Sequence, residues 1–311
     1  FLSKLFERLA KRQFEEFLES QNYFSNCQFG FRSARSTELA LAYAWHDITM
    51  AAEDGQCCLA AFLDVSKAFD CLNITHFIDM LAGLGCSPRT VCWFRSYLDG
   101  RTQLVKVGRV GSTARVLRMG TPQGSVLGPF MFIIYLNFVL RAIERDVKCH
   151  AICYADDTTL LFRVPASVEQ EKLEGVGRDI GRAMDHFNRF GLVVNSSKTA
   201  LVLFRNSQRR LITDEIKVEV RGESLSLVPS VRCLGVTLDE SMKWRSHIDS
   251  ISGRCYAVIA SLARLRKTGA NTSLLIQVYR ALFEPVLTYS SSGTLGQLVR
   301  KPYAECASST K

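Results

Sequence analysis

The chain has 311 residues, of which 47% are hydrophobic and 22% are charged, a balance that excludes an intrinsically disordered polypeptide. Its 39 Lys and Arg residues outnumber its 30 Asp and Glu residues, and the net charge of +9 suggests a polyanionic partner, nucleic acid or an acidic membrane surface, although a basic protein without such a partner has the same total. The 11 cysteines follow no disulfide or zinc framework, which predicts free thiols in a reducing, intracellular compartment.

Hydrophobic spacing in the first 120 residues predicts several helices, a buried strand and a hairpin. Residues 1–19 alternate charged side chains with apolar ones at helical spacing, which predicts an amphipathic helix. The short apolar run CCLAAFLDV at 57–65 is typical of a buried strand, and the alternating residues 102–119 contain a glycine turn, which indicates a hairpin. Further helices are predicted at 37–53, 75–83 and 88–98.

The apolar run VLGPFMFIIYLNFVL at 126–140 is shorter than a bilayer span and contains Pro129 and Asn137, so a buried core helix is expected there. Ser167 and Gln170 suggest a capping box at the start of a later helix that stops at Gly191. Short strands are predicted at 200–205, 216–220 and 231–238, helices at 246–266 and 273–284, and a disordered tail at 291–311. This order of elements predicts an α+β fold rather than a doubly wound parallel sheet.

Two adjacent aspartates, Asp156 and Asp157, stand within the apolar run HAICYADDTTLLF at 150–162. Asp64 ends another apolar strand, and three carboxylates converge if the two strands are neighbours. Carboxylates that meet in an apolar setting must bind cations, become protonated or move apart. Oxygen ligands without a nearby histidine select Mg²⁺ or Mn²⁺, and two such ions suit phosphoryl transfer. Taken singly, Asp157 is better explained as a turn residue and Asp64 as a helix cap, so the adjacent pair is what favours a cation site.

Three motifs, FLDVSKAFD at 62–70, GTPQGSVLGPFMF at 120–132 and YADD at 154–157, resemble in order and spacing the palm motifs of reverse transcriptases. The form PQGSVLGP is more similar to non-LTR (LINE-type) retrotransposon enzymes than to group II intron or retroviral ones. Flanking blocks agree with that family at QFGFRSARST (28–37), FGLVVNSSKT (190–199) and VRCLGVTLDESMKWRSHI (231–248). The resemblance covers the chain from about residue 1 to 285.

The resemblance implies an α+β right-hand polymerase fold of fingers, palm and thumb, with an antiparallel palm sheet. It implies partial fingers at 1–56, a palm with inserted fingers helices at 57–230, a primer grip and partial thumb at 231–290, and the tail at 291–311. The implied activity is RNA-directed DNA polymerisation, with an RNA template, a DNA primer or target site and a dNTP as partners, and no membrane. The resemblance further implies that the protein is part of a ribonucleoprotein that forms in the cytoplasm and acts in the nucleus.

The resemblance also implies roles for individual residues. Asp64, Asp156 and Asp157 are expected to hold two Mg²⁺ ions, for which Mn²⁺ can substitute, together with the backbone carbonyl of Val65. Lys198 is the expected general acid for pyrophosphate, with a solvated surface lysine as the alternative. The nucleotide pocket is expected to comprise Lys67, Ala68, Phe69, Gln123 and Gly124.

Within that pocket, the ring of Phe69 is expected to exclude a 2′-hydroxyl, although outside the motif it would be ordinary core. Gln123 is expected to contact the incoming nucleotide, and Gly124 to allow close approach of the backbone.

Contacts to nucleic acid are expected from Arg32, Arg35 and Trp244. In the loop that holds the two arginines, Phe29 and Phe31 are expected to point inward and the arginines outward.

The chain departs from the family pattern in three ways. The Arg-Pro-Ile type block that usually precedes the first helix is not seen. Neither an endonuclease domain nor a zinc knuckle is visible. The last residues of the chain do not match the family's usual thumb segment. These departures suggest a copy truncated at both ends, and they keep open a catalytically dead remnant that only binds nucleic acid. An RNA-dependent RNA polymerase is the third possibility, which the aromatic Phe69 disfavours because such enzymes must admit the 2′-hydroxyl.

Overall fold

A computed structural model describes residues 2–205 and 216–289. Its helices lie where apolar residues recur at helical spacing, and four of them begin at a side-chain cap from Ser36, Asn73, Ser87 or Asn271. They are α1 (Leu2–Ser20), α2 (Thr37–Glu53), α3 (Ile74–Gly83), α4 (Pro88–Leu98), α5 (Leu127–Asp146), α6 (Gln170–Arg189), α7 (Arg245–Lys267), α8 (Thr272–Val278) and α9 (Glu284–Thr288). A π-helical turn, Tyr279–Phe283, joins the last two.

The strands are short and most pair with a neighbour in the sequence. They are β1 (Gln56–Leu63), β2 (Thr102–Gln103), β3 (Lys106–Val107), β4 (Val110–Gly111), β5 (Arg115–Val116), β6 (His150–Tyr154), β7 (Asp157–Pro165), β8 (Ala200–Phe204), β9 (Lys217–Val220), β10 (Glu223–Ser226), β11 (Ser230–Cys233) and β12 (Val236–Asp239). The sheet that bears the candidate site has the order β6–β7–β1–β8. Antiparallel two-stranded ribbons are formed by β2 with β5, β3 with β4, β9 with β10, and β11 with β12.

The described residues divide into two compact units. The first unit comprises the residues up to Ala34, Phe62–Leu160 and Gly177–Thr199. The second comprises Arg35–Ala61, Leu161–Val176 and the described residues from Ala200 onward. The boundaries of fingers, palm and thumb proposed from the sequence stay a prediction.

Helix α5 forms the core of the first unit. By length and composition it could cross a membrane, but 72% of its apolar window is buried inside the protein, as predicted for a core helix. Its one buried amide side chain is satisfied by the loop after α1. Asn137 accepts a hydrogen bond from the backbone N–H of Ser25 (2.7 Å) and donates one to the carbonyl of Tyr23 (2.7 Å), so it fixes that loop on the core.

In the second unit, α7 packs against β12. Trp244, just before α7, contacts the ring of Trp45 from α2 at a centroid distance of 4.4 Å, and both rings are buried. Strand β8 has contacts with β10 and β11.

Most predicted elements are confirmed with shifts of one or two residues at their ends, and four details differ. The strand predicted at 231–238 is a hairpin, because Leu234 and Gly235 adopt positive φ values of 46° and 82° and turn the chain between β11 and β12. The polar strand β10 was not predicted, and the last predicted helix is interrupted by the π-helical turn. The capping box was wrong, because the hydroxyl of Ser167 bonds the carboxylate of Glu169. The predicted disordered tail lies outside the described residues.

Candidate active site

The sheet brings the three predicted aspartates to one end of the first unit. Asp64 directly follows β1, Asp157 is the first residue of β7, and β1 and β7 are neighbours in the sheet. Asp156 lies in the turn between β6 and β7, next to Ala155, which has a φ of 59°. A left-handed conformation at a residue with a side chain costs free energy, and such strain is typical of functional turns.

The carboxylates are close enough to perturb one another. Desolvation and then the negative charge of Asp64 raise the pKa of Asp156 above its usual value. The pKa of Asp157 is also raised, by desolvation first and then by the charges of Asp156 and Asp64, even though its side chain keeps contact with solvent. The site therefore disfavours its own negative charge and is suited to a cation.

The donor set fits a divalent cation that prefers oxygen ligands. Across 2–205 and 216–289, no three His, Cys, Asp or Glu side chains are arranged so as to hold a metal ion, and this includes the three aspartates. Their nearness is shown instead by the effect of Asp64 on the pKa of Asp156 and of Asp157. The Val65 carbonyl fits as a further donor. Val65 pairs with Val194 in an isolated antiparallel bridge, whose hydrogen bonds join Asn195 N–H to the Asp64 carbonyl and Ser66 N–H to Val193. The Val65 carbonyl is therefore not used by that bridge.

Lys198 lies beside the carboxylates, as the motif predicted. Its Nζ is 3.7 Å from Oδ2 of Asp64, in an ion pair in which 66% of the Lys198 side chain is exposed. The short turn Ser196–Lys198 that carries it is capped by Asn195, whose side chain accepts the N–H of Ser197. An exposed ion pair at this distance is weak, so the ammonium remains free to move to another anion.

The ring of Phe69 is held between two other rings of the first unit. It contacts Phe132 of α5 at a centroid distance of 4.6 Å and Phe31 at 6.2 Å, the latter edge to face at 79°. Phe69 belongs to a short 3-10 turn, whose first residue, Ala68, is buried. The residue before the turn, Lys67, is exposed and has a left-handed backbone conformation.

The loop with Gln123 and Gly124 runs alongside Phe69. The N–H of Thr121 donates to the carbonyl of Phe69 (3.0 Å), and the side-chain amide of Gln123 donates to Oδ1 of Asp70 (3.1 Å). Gly124 has a φ of 74°, which a residue with a side chain rarely adopts. Phe69 and the loop with Gln123 and Gly124, which are distant in sequence, are thus joined by hydrogen bonds.

An open cavity of about 410 Å³ adjoins this loop, lined by Gln123, Gly124 and two cations, Lys4 and Arg101. Arg101 is positioned by Tyr97, because its guanidinium lies 4.4 Å from the ring centroid and its Nε donates to the Tyr97 carbonyl. Neither cation was predicted from the sequence. Neither lies in a motif, and a single basic residue on a helix or at its end is usually solvated.

The loop before α2 differs from its prediction. Arg32 was expected to point outward, which is wrong: its side chain is 9% exposed and makes a two-pronged ion pair with Glu19. It also lies over the ring of Phe24, 5.0 Å from the centroid. Phe29 is buried as predicted, but Phe31 is 42% exposed. Phe31 has a left-handed φ of 58°, and its ring contacts the ring of Phe69.

The same loop is attached to the aspartate hairpin. The N–H of Phe29 donates to the Cys153 carbonyl (2.7 Å), and the N–H of Cys153 donates to the Cys27 carbonyl (2.8 Å). At Gly30 an added Cβ would lie 2.2 Å from the backbone nitrogen of Ala155, so only glycine allows this approach. The loop therefore places Phe31 in a fixed position relative to Asp156.

Arg35 and Trp244 belong to the second unit. Arg35 is partly exposed and has an interaction partner within the protein. Trp244 was expected to contact nucleic acid, but it is only 5% exposed, packed on Trp45, and its ring is not available on the surface. Trp244 directly precedes α7 and has a left-handed φ of 61°.

Comparison with known proteins supports the motif resemblance. The profile of the family described as reverse transcriptase (RNA-dependent DNA polymerase) matches residues 1–238. The chain is 29% identical over 269 residues to a 115 kDa protein of the type-1 retrotransposable element R1DM of Drosophila melanogaster, covering 85% of this chain. It is 27% identical over 297 residues to the RNA-directed DNA polymerase from the mobile element jockey of Drosophila funebris, covering 93% of this chain. The chain spans 25% and 31% of the lengths of these two relatives.

Among solved structures, the chain is similar in fold to apo telomerase from Candida tropicalis truncated from its C-terminal domain, with a TM-score of 0.52 and 12% identity. That match covers 77% of this chain and 44% of the telomerase chain. The predicted α+β polymerase fold is thereby confirmed. With its family profile, its retrotransposon relatives and its polymerase-like fold, the chain belongs to the reverse transcriptase family, in the non-LTR retrotransposon type that its palm motifs predict.

Proposed function

We propose that this chain catalyses RNA-directed DNA synthesis, in which the 3′-hydroxyl of a DNA primer attacks the α-phosphate of a dNTP and pyrophosphate leaves. The observation that carries the proposal is the convergence of Asp64, Asp156 and Asp157, with the pKa of Asp156 and that of Asp157 raised by desolvation and repulsion. Such a cluster is unfavourable unless a cation neutralises it.

Asp64, Asp156, Asp157 and the Val65 carbonyl are the proposed ligands of two Mg²⁺ ions, for which Mn²⁺ can substitute. Bound divalent cations supply activation of the attacking hydroxyl and stabilisation of the leaving oxygen. The protein itself contributes mainly position and charge. Lys198 is the proposed proton donor to pyrophosphate, because its ammonium already lies at the edge of the site and its pair with Asp64 is exposed.

The nucleotide pocket is assigned to Lys67, Ala68, Phe69, Gln123 and Gly124. The ring of Phe69, wedged against Phe132, is proposed to exclude a 2′-hydroxyl and so to select dNTPs. Gln123 and Gly124 are proposed to contact the incoming nucleotide from the loop that is bonded to Phe69 and Asp70. The RNA template, the DNA primer or target site, and an intracellular location with action in the nucleus follow from the family and are part of the proposal.

The test is primer extension on poly(rA)/oligo(dT) with dTTP and Mg²⁺. We expect extension by the native chain and a loss of about 1,000-fold or more in Asp156→Asn, because that variant removes a charge that must balance the cations. Asp79→Asn is the matched control, since Asp79 is an exposed aspartate on α3, outside the site. Extension that survives Asp156→Asn would show that the chemistry is not carried by the aspartates, and duplex binding without any extension would indicate a chain that only binds nucleic acid.

A further inference from the structure

Residues 101–118 form a narrow ribbon between α4 and the loop with Gln123. The strand β2 pairs with β5 and β3 with β4, so the chain folds back on itself around Gly108, whose φ of 61° suits a tight hairpin turn. The base of the ribbon is closed by the N–H of Leu117, which donates to the carbonyl of Arg101 (2.8 Å).

Neither face of this ribbon is covered. Every residue from 102 to 116 is exposed, including several large apolar side chains whose exposure to water is unfavourable. They are Leu104 (57%), Val105 (67%), Val107 (75%), Val110 (75%) and Val116 (62%). A two-stranded ribbon without a packed face is marginally stable in water, so this one is expected to gain order from a partner.

The charge of the ribbon indicates what that partner is. Lys106, Arg109, Arg115 and Arg118 are exposed, and no ion pair among the described residues engages them. The sequence has no aspartate or glutamate between Asp99 and Glu144, so no acidic side chain within the ribbon offsets them. A surface with several free cations and no carboxylate is complementary to a phosphodiester backbone.

The apolar residues distinguish between a single strand and a duplex. Val107 and Val110 are register partners and therefore lie on the same face, whereas Lys106 is paired with Gly111 on the other face. A single strand offers apolar base faces as well as phosphates, whereas a duplex keeps its base faces stacked inside. A ribbon with both apolar and cationic side chains exposed therefore fits a single strand better.

The ribbon is continuous with the nucleotide pocket. Directly after it, Met119 bridges to Asn73, and the N–H of Gly120 donates to the carbonyl of Leu72 (2.7 Å). Gln123 follows on the same segment. A strand bound on the ribbon would thus lie on a part of the first unit that is joined covalently and by hydrogen bonds to the proposed nucleotide pocket.

We infer that the ribbon 101–118 binds single-stranded RNA, through phosphate contacts of Lys106, Arg109, Arg115 and Arg118 and base contacts of Val107 and Val110. The choice of RNA over DNA rests on the proposed function, while the binding of a single-stranded phosphodiester does not. The inference adds a binding surface that lies outside the catalytic motifs.

The test measures binding of the whole chain to a fluorescent single-stranded RNA of mixed sequence, by anisotropy over a range of NaCl concentrations. In Lys106→Gln/Arg109→Gln/Arg115→Gln/Arg118→Gln we expect the slope of log K against log salt to become shallower by about 3, since each lost contact with a single strand removes about 0.7. Affinity near 0.1 M salt should fall about 100-fold.

Two controls separate the ribbon from total charge and from misfolding. Replacing Arg8, Arg89, Arg95 and Arg189 by glutamine removes the same charge from exposed positions of the first unit, and it should leave the slope within about 1 of the native value. Lys106→Arg/Arg109→Lys/Arg115→Lys/Arg118→Lys keeps the charge and should keep the slope. Equal effects of the two glutamine sets would overturn the inference.

The apolar contacts have their own variant. Val107→Ser/Val110→Ser should weaken single-stranded RNA binding about fivefold with an unchanged salt slope, and it should leave binding to an RNA duplex unchanged. Equal losses of duplex and single-strand binding in Val107→Ser/Val110→Ser would overturn the assignment to a single strand. A preference for single-stranded DNA would overturn the assignment to RNA. Because binding needs no turnover, a chain that binds RNA through the ribbon but does not extend a primer would contradict only the proposed function.

Discussion

The ring of Phe69 lies between Phe132, which is fixed in the core, and Phe31, which belongs to a separate loop. That loop is fastened on both sides of Phe31, by the close approach of Gly30 to Ala155 and by the ion pair of Arg32 with Glu19. A half-exposed aromatic ring in a strained backbone conformation is seldom needed for stability alone. The contact suggests that Phe31 limits the positions open to the Phe69 ring, and so acts as a positioning residue for sugar discrimination.

Phe31→Ala should therefore lower the preference for dTTP over UTP about tenfold, because Phe69 gains room to move away from a 2′-hydroxyl. The measurement is the ratio of incorporation efficiencies for the two nucleotides on the same primer and template. Phe17→Ala is the control, since Phe17 is similarly exposed (37%) and stacks on one ring of the same unit, that of Phe14. A loss of kcat that is equal for both nucleotides, with an unchanged ratio, would mean that Phe31 only supports the loop.

The charges of the aspartate cluster are expected to lower the stability of the folded protein while they are needed for activity. Because desolvation and Asp64 raise the pKa of Asp156, its ionised form is less favourable in the folded protein than in the unfolded chain, and stability is lost as the pH rises through that pKa. Asp156→Asn should stabilise the metal-free protein at pH 7 while it abolishes extension. Urea unfolding with a chelator measures this. An equal gain in stability for Asp79→Asn would show that the gain does not come from relief of repulsion in the aspartate cluster.

At the scale of elements, α5 begins without a side-chain cap from its own N-cap residue, Val126. Glu7 of α1 takes that role from a distance: its Oε2 accepts the N–H of Val126 (2.6 Å) and that of Leu127 (3.3 Å), and its side chain is buried. A carboxylate at a helix N-terminus is favourable both as an acceptor and through the helix dipole. This contact joins the first helix to the core helix of the first unit.

Glu7→Ala should lower the free energy of unfolding by about 2 kcal/mol, because it leaves two N–H groups unpaired in a buried place. Glu7→Gln keeps an acceptor and should cost less. Glu16→Ala is the control, since Glu16 is on the same helix, is 65% exposed and, among the described residues, pairs only with Arg12. Its loss should cost less than about 0.5 kcal/mol. Chemical denaturation gives all three values, and equal losses for Glu7→Ala and Glu16→Ala would contradict the capping role.

At the scale of the whole molecule, buried thiols make stability depend on alkaline pH. Burial raises the pKa of Cys27, Cys58 and Cys149 from 9.0 to about 12. Unfolded thiols ionise near their ordinary pKa, so the stability contributed by the folded state is complete below pH 9 and is lost as the pH rises toward 12.

Unfolding free energies should therefore fall between pH 9 and 10 by about 1 kcal/mol for each of these thiols. Urea unfolding under reducing conditions at both pH values measures the fall. Cys58→Ala should show a smaller fall than the native chain, whereas Cys92→Ala should show the same fall, because Cys92 is exposed. Identical pH dependence in Cys58→Ala would show that its thiol does not contribute.

The sequence predicted those parts of the molecule that depend on local pattern. Helices α1 and α5 follow from apolar spacing and length, and the adjacency of Asp156 and Asp157 in an apolar strand indicated the cation site. What it missed depends on partners that are distant along the chain. The capping of α5 by Glu7 and the pairing of Arg32 with Glu19 each required a contact that no local period encodes.

The burial of Trp244 against Trp45 was missed for the same reason, since an aromatic residue in a motif is as compatible with packing as with binding. Phe31 and Trp244 also adopt left-handed backbone conformations, which residues with a side chain rarely adopt and which no local pattern in the sequence indicates.

The bond between the N–H of Asn195 and the Asp64 carbonyl also bears on how the protein is made. A ribosome delivers Asp64 early, Asp156 and Asp157 much later, and Asn195 later still, so the carboxylates cannot be fixed in place while the first half of the chain is emerging. Contacts between such distant residues form late and at a high entropic cost. If a shortened gene copy ended before the codon for Asn195, the encoded chain would lack this contact. Its catalytic centre would then fail to assemble, and the result would be an inactive chain rather than a less active enzyme.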